Sequence, residues 1–224
     1  RQAGVVKGGD VILARGLEVD IAREIVRRVG IPKIRFVYVR PATRLLAAEA
    51  PPWHLGLASI RATPRAAGSA ALSEPYLGTD QAVVLRRGLP RLATLAQLRS
   101  LRSCAVQGSD GARALATVVS PTSAPMLPST QARLFQLVQT GVCDAALVGA
   151  VEVGRFVAGR GALLGPVSAR VALGNGYGVA VPRSSPISVA EVARALRGLR
   201  ADGTMHRLAR RWLTIDPARL RLLR

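Results

Sequence analysis

Side chains able to do chemistry are few in this chain, and they are scattered. Cys104 and Cys143 are the only cysteines, His54 and His206 the only histidines, and 13 acidic residues face 32 basic ones. A zinc site needs about four N or S ligands in closely spaced pairs, and neither the cysteines nor the histidines are so arranged. There is also no Ser-His-Asp order, no carboxylate cluster and no phosphate-cradling glycine loop. No metal and no cofactor are therefore expected. The two cysteines have two readings at this stage. They are buried free thiols, or they form a disulfide if the compartment is oxidising and their segments are neighbours.

The formal charge is +19, and all basic residues except Lys7 and Lys33 are arginines. These arginines are spread along the chain rather than blocked into a tail, which reads as a solvated basic surface. Attraction to anionic lipid, to an anionic cell wall or to an anionic ligand is the functional counterpart. Nucleic acid is not expected as a partner, because no base-reading motif is present and aromatics amount to only 4%. Every apolar stretch is broken by Arg, Gly, Pro or Ser well before the roughly 20 residues of a membrane-spanning helix. No signal peptide is visible, so an exported protein of this sequence has already lost its leader.

The elements that must position these residues follow from periodicity. Leu17, Ile21 and Ile25, with Ala22, Val26 and Val29 beside them, predict a helix over Leu17–Val29 stopped by Gly30 and Pro32. Strands are predicted over Ile34–Val39, Leu55–Ser59, Gln81–Arg86, Ser103–Gln107, Asp144–Val148 and Gly176–Val181. Helices are predicted over Thr43–Ala50, from Thr94 to Leu98, from Ser109 or Asp110 onward, and from Ser129 to Gly141. Ser188 and Glu191 make a capping box for a helix ending at Arg200, and Met205, Leu208, Ala209 and Trp212 share one face of the last helix. Alternation of strand and helix implies α/β architecture.

Read in order, several segments resemble the amino-acid-binding solute receptors of ABC importers, family 3 of the extracellular solute-binding proteins. Gly16-Leu17-Glu18-Val19-Asp20-Ile21-Ala22 is similar to their G-F-D-V-D-L-A signature. Thr63-Pro64 followed by Leu72-Ser73-Glu74-Pro75-Tyr76 resembles T-P-E-R…F-S-E-P-Y. Leu95–Leu98 with Ser103–Ser109 resembles S-L-x-D-L…V-G-V-Q-G-T, and Leu137–Leu147 resembles L-x-x-G-R-V-D-A-V. Asp202-Gly203-Thr204…Arg211-Trp212-Leu213 resembles the closing D-G-T…K-W. The resemblance implies a type 2 periplasmic-binding-protein fold: two lobes, each a mixed sheet flanked by helices, joined by two β-strand hinge crossings around a ligand cleft. Lobe 1 would be residues 1–81 plus 183–224 and lobe 2 residues 82–182, and the family's first strand would precede Arg1.

The resemblance also supplies expectations for single residues. It brings the segments of Cys104 and Cys143 together, so a Cys104–Cys143 disulfide is expected. Closing that loop would be worth about 4 kcal/mol in the chain-entropy model. Ser59 and Thr63 match strand-end hydroxyls that assist ligand binding. The arginine that pairs with the ligand carboxylate falls on Ala66 when counted back from Leu72, which leaves Arg65 one residue early and Arg61 as the other candidate. Either arginine is otherwise an ordinary solvated residue. Gly108, Ser109 and Asp110 match a helix entry that receives an anion, or that serves simply as an N-cap. The family's ammonium-binding aspartate falls on Gly149, and Glu152 stands three residues on, as a substitute or as a helix-start glutamate. Trp53, Tyr76 and Trp212 read as packing, and His54 and His206 as surface residues.

What this implies is an extracytoplasmic binding protein, in the periplasm or on the cell surface with a possible lipid anchor. It would capture a small polar ligand, anionic or amino-acid-like, as a monomer and pass it to the membrane subunits of an ABC importer. The missing aspartate favours an anionic ligand. Two alternatives are carried. One is a cyclohexadienyl-dehydratase-like enzyme, since Gly149-Ala150-Val151-Glu152 resembles that group's D-A-I-E segment and Glu152 would be its general acid. The other is a ligand-sensing domain of a receptor, or an accessory to an exported enzyme.

Overall fold

The computed structural model describes residues 14–36, 53–62, 70–158 and 163–224. In chain order its helices are α1 (Leu17–Val29), α2 (Leu95–Arg99), α3 (Asp110–Ala114), α4 (Gln131–Gln139), α5 (Val153–Val157), α6 (Val189–Ala201) and α7 (Thr204–Trp212). The strands are β1 (Gly56–Arg61), β2 (Ala70–Leu72), β3 (Leu77–Gly78), β4 (Gln81–Leu85), β5 (Ser103–Cys104), β6 (Ala145–Gly149), β7 (Val167–Val171) and β8 (Gly176–Pro182). The predicted helix at residues 43–50 and most of the predicted strand at 34–39 lie outside the described residues; Ile34–Phe36 are irregular.

Two compact units divide the chain. Unit 1 is Arg1–Leu77 with Asn175–Trp212, and unit 2 is Gly78–Gly174 with Leu213–Arg224. The divisions thus fall at 77/78 and 174/175, where 81/82 and 182/183 were expected. The last twelve residues belong to unit 2 because they are sewn to it. Arg170 N donates to Arg221 O at 2.8 Å, Leu223 N donates to Arg170 O at 2.9 Å, and the Leu223 side chain is buried in that unit's core. The chain therefore passes between the units three times.

Unit 1 is an antiparallel sheet in the order β1-β8-β2, with β3 also paired to β8. Helix α1 forms where the 3.6-residue stripe predicts it, and Gly30 ends it at φ 84°, a left-handed conformation that glycine adopts without strain. Its Ile21 and Ile25 enter one core with Val179 of β8 and Val192, Leu196 and Leu199 of α6. Ser188 closes the predicted capping box: its hydroxyl accepts from Glu191 N while its own N donates to the Glu191 carboxylate. Trp53 and Tyr76 are core residues, as read from the sequence. Trp212 is half-buried, and its Nε1 donates to Asp20 Oδ2 at 2.7 Å.

Unit 2 carries a mixed sheet in the order β5-β6-β4-β7, with β5 and β6 parallel and β4 antiparallel to both β6 and β7. Strand β4 is buried throughout, which explains its unbroken run of apolar residues after Gln81. Successive side chains alternate between two cores: Ala82 and Val84 on one face, Val83 and Leu85 on the other. Strand β6 alternates in the same way, Ala146 and Val148 against Ala145 and Leu147. The predicted strand over Ser103–Gln107 is shorter in the structure. Beyond Cys104 the backbone turns to a different partner, with Ala105 N bonding Met126 O and Gln107 N bonding Pro128 O.

Asp144 fastens three strand ends together. Its carboxylate accepts from Arg86 Nε, which follows β4, and from the backbone N, Nε and an η-nitrogen of Arg102, which precedes β5. Its own N donates to Arg102 O and its O accepts from Arg86 N. The Arg102 side chain, aided by Arg86, holds the carboxyl down at about 2 against the partial burial that opposes it. At the other end of the sheet, Gly111 of α3 lies against β6 so closely that a Cβ there would stand 2.6 Å from Leu147 O.

Two outcomes follow. Because the folded pKa of Asp144 lies below its ordinary value of 3.8, its stabilisation is complete above the unfolded pKa and fades as pH falls through about 2. Asp144→Asn should cost about 2 kcal/mol at neutral pH, with the gap to wild type closing toward pH 2, in urea denaturation across that range. Gly111→Ala should lower stability by about 1–3 kcal/mol in thermal unfolding, since helix α3 must lift off a backbone carbonyl that cannot yield.

Candidate functional site

In unit 2 the candidate residues gather at the carboxyl ends of the parallel pair β5 and β6, the edge where open α/β sheets receive ligands. Gln107-Gly108-Ser109-Asp110 turns the chain from β5 into α3. Gly108 takes φ 70°, and a Cβ there would meet nothing within 4 Å. Ser109 is the N-cap, its hydroxyl accepting from Ala112 N at 3.2 Å. Asp110 is paired with Arg113 at 2.8 Å. Both side chains are thus engaged in starting the helix, which continues past Ala114 as a π-helical turn over Leu115–Val119.

Gly149 ends β6, and the strand register sets it opposite Gln81 of β4. The chain then folds back tightly. Glu152 N donates to Gly149 O at 2.8 Å, and Ala150 N donates to Asp80 O at 2.8 Å. Glu152 occupies the N-cap position of α5 without a side-chain capping bond. Its carboxylate instead leans over the glycine: a Cβ at Gly149 would lie 3.6 Å from Glu152 Oε2 and 3.7 Å from its Cδ. Among the described residues that carboxylate has no hydrogen bond or ion pair.

The cysteines lie in the same unit and are neighbours. Both are fully buried, both are free thiols, and their side chains are hydrogen-bonded to each other. The Cys104 thiol is pushed up by that bond and by burial, while Cys143 is held down by the bond it receives despite its own burial. The sulfurs belong to the core face shared with Val84, Ala146 and Leu134.

In unit 1 the candidate residues sit on β1. Ser59 adopts φ 51°, a left-handed conformation unusual for a residue with a side chain. It is held there by Glu18 of α1, whose Oε1 accepts from Ser59 N at 2.7 Å and from its hydroxyl at 3.1 Å. The Tyr76 hydroxyl donates to the same oxygen. Burial, reinforced by the Glu18 charge, keeps the Tyr76 phenol well above its ordinary pKa, so it remains a donor. The Ser59 hydroxyl is therefore spent inside unit 1. Arg61 ends β1 in the exposed position opposite Tyr177 of β8. Thr63 and Arg65 lie outside the described residues. Glu18 is the residue of this cluster that sequence reasoning did not single out; its place two residues before Asp20 in the helix signature was the available signal.

Among the described residues no group of three His, Cys, Asp or Glu side chains is arranged to hold a metal ion, and no helix is long and apolar enough to cross a membrane. No curated protein sequence matches the chain. Solved structures of similar fold include the L-cystine solute receptor of Neisseria gonorrhoeae in its unliganded open conformation. It is 19% identical with a TM-score of 0.71, and the match covers 96% of this chain and 89% of that one. A putative binding component of an ABC transporter from Wolinella succinogenes, complexed with lysine, is 19% identical with a TM-score of 0.60, covering 89% and 86%. An ancestral amino-acid-binding protein described as a precursor of cyclohexadienyl dehydratase is 18% identical with a TM-score of 0.57, covering 95% and 89%. The family model for bacterial extracellular solute-binding proteins, family 3, matches residues 12–215. With two α/β units and that match over most of its length, the chain belongs to family 3 of the bacterial extracellular solute-binding proteins.

Proposed function

We propose that this solute-binding protein captures an amino-acid-like zwitterion outside the cytoplasmic membrane and delivers it, as a monomer, to an ABC importer. The observation that carries the ligand class is the pair of glycines, Gly108 and Gly149, at the carboxyl ends of β5 and β6. A Cβ at Gly108 would meet nothing within 4 Å, and at Gly149 the nearest atoms are those of Glu152, so a small molecule can come close to the main chain there. The lysine complex and the cystine receptor among the similar folds are consistent with this ligand class.

The preference for an anionic over a cationic ligand rested on the arginines and on the absence of a carboxylate at position 149. The Glu152 carboxylate, which stands beside that position, bears on the second of these grounds. The dehydratase reading has one point in its favour, the similarity to an ancestral precursor of that enzyme. Its general acid would be Glu152, an exposed carboxylate at the start of α5.

Calorimetric titration with the L-amino acids, each beside the matching 2-hydroxy acid, tests the ligand class. Saturable binding of at least one amino acid, with its hydroxy acid at least tenfold weaker, is expected. Binding of hydroxy acids alone would overturn the assignment. Turnover of prephenate or arogenate would restore the dehydratase.

For the cysteines we propose that, before folding buries them, exchange with an external disulfide joins Cys104 and Cys143 in the oxidising compartment; two electrons pass to that disulfide and the two protons end on the two thiols it leaves. Thiol counting on denatured, unreduced protein isolated from that compartment should give none, and two after reduction. Two reactive thiols before reduction would contradict the bridge.

A further inference from the structure

Unit 1 carries a face on which arginines outnumber the carboxylates that could neutralise them. Helices α1 and α7 lie antiparallel along it. Asp202, at the start of α7, pairs with Arg28 in the last turn of α1, while Arg211 and Trp212 at the end of α7 reach Asp20 in the first turn of α1. The two helices hold six arginines, Arg23, Arg27, Arg28, Arg207, Arg210 and Arg211, against Asp20, Glu24 and Asp202. Glu18, the other carboxylate of α1, is taken by Ser59 and Tyr76. Asp20 is shared between Arg23 at 2.8 Å and Arg211 at 3.6 Å, and Arg210 is exposed with no partner among the described residues. Arg27 and Arg211 are 67% and 68% exposed, so water is their main neighbour.

A groove of about 430 Å³ opens on the same helix where α1 ends. Arg23 and Arg27 stand at it, and Val26, Ile31, Pro32 and Ile34 line it with aliphatic carbon. Ile34 is 40% exposed, a large apolar side chain left in water beside the arginines. From this combination we infer that the α1–α7 face of unit 1 docks on an anionic phospholipid surface, with lipid phosphates on the arginines and Ile34 at the hydrocarbon boundary. The guanidinium fork matches phosphate oxygens two at a time, and arginine stems lie along apolar surface while their heads stay wet. Basic residues flanking exposed aliphatic ones suit the lipid interface, where both kinds of contact are made at once. A hydrophilic polyanion would engage the arginines and leave the aliphatic groove in water. The family is extracellular, so the bilayer within reach is the outward leaflet of a membrane. This docking goes beyond ligand capture and is independent of which ligand the protein holds.

Cosedimentation of the whole chain with lipid vesicles tests the docking, with a thermal melt to show that each variant is folded. Vesicles of phosphatidylcholine mixed with phosphatidylglycerol should bind the protein, and vesicles of phosphatidylcholine alone should not. Arg27→Gln, Arg210→Gln and Arg211→Gln combined should weaken partitioning about 10- to 100-fold. Arg133→Gln, Arg155→Gln and Arg219→Gln combined remove the same charge from unit 2 and should weaken it less than about threefold. Ile34→Ser, which leaves the charge unchanged, should weaken it about threefold or more. Equal losses in the two triple variants would overturn the face in favour of diffuse charge. Inorganic polyphosphate displacing the protein from vesicles, together with no effect of Ile34→Ser, would replace the bilayer with a hydrophilic polyanion. No binding to the mixed vesicles would end the proposal outright.

Discussion

The carboxylate of Asp144 is the fixed point of unit 2. It joins the end of β4, the start of β5 and the start of β6 through two arginines and a backbone N–H. Strands pinned at one end deliver their other ends in register. The parallel offset of β5 on β6 therefore determines where the turn at Gly108 and the reversal at Gly149 emerge. The close approach of Gly111 to Leu147 O does the same for α3, pressing the helix start onto the strand that ends at Gly149. Polar pairing at one edge and tight packing at the other convert a sheet of small aliphatic residues into a rigid mount. This matters in a chain with so few aromatics, since Ala, Val and Leu fill space without the interlocking that large rings provide.

Unit 1 uses one carboxylate differently. Glu18 sits in the first turn of α1, where the helix favours negative charge, and it gathers three donors onto a single oxygen. The cost of holding Ser59 in a left-handed conformation, of the order of 1 kcal/mol, is offset by those bonds. That bend shapes the end of β1 just before Arg61, and the β1–β8 register shifts across it. A residue in the helix thus governs how the strand presents its arginine.

The sequence made the regular elements legible where periodicity or capping is strong. Helix α1 and the Ser188 capping box match their predicted positions, and the cores of β4 and β6 are apolar throughout because both faces are covered. Shorter pieces escaped. Strand β2 is only three residues, β7 carries Ser168 and Arg170, and α5 is only five residues, too short to show a stripe. The predicted strand beyond Cys104 failed because a competing partner around Met126 captures the backbone, a choice that local sequence does not encode. At the candidate site, residue types were readable but commitments were not. Spacing could not tell that Ser59, Ser109 and Asp110 spend their side chains within their own units, nor that Glu152 spends none. Both facts depend on which partner comes within hydrogen-bonding reach, and that is decided by folding.

The last residues of the chain have a further effect on unit 2. Strand β7 is the outermost member of its sheet, so one row of its amide and carbonyl groups faces away from β4. An uncovered strand edge is a template for pairing with other molecules. Here Arg221–Leu223 lies along that edge, bridging at Arg170↔Leu222 and burying Leu223. The tail thus serves as an intramolecular cover that withholds the edge from intermolecular β-addition.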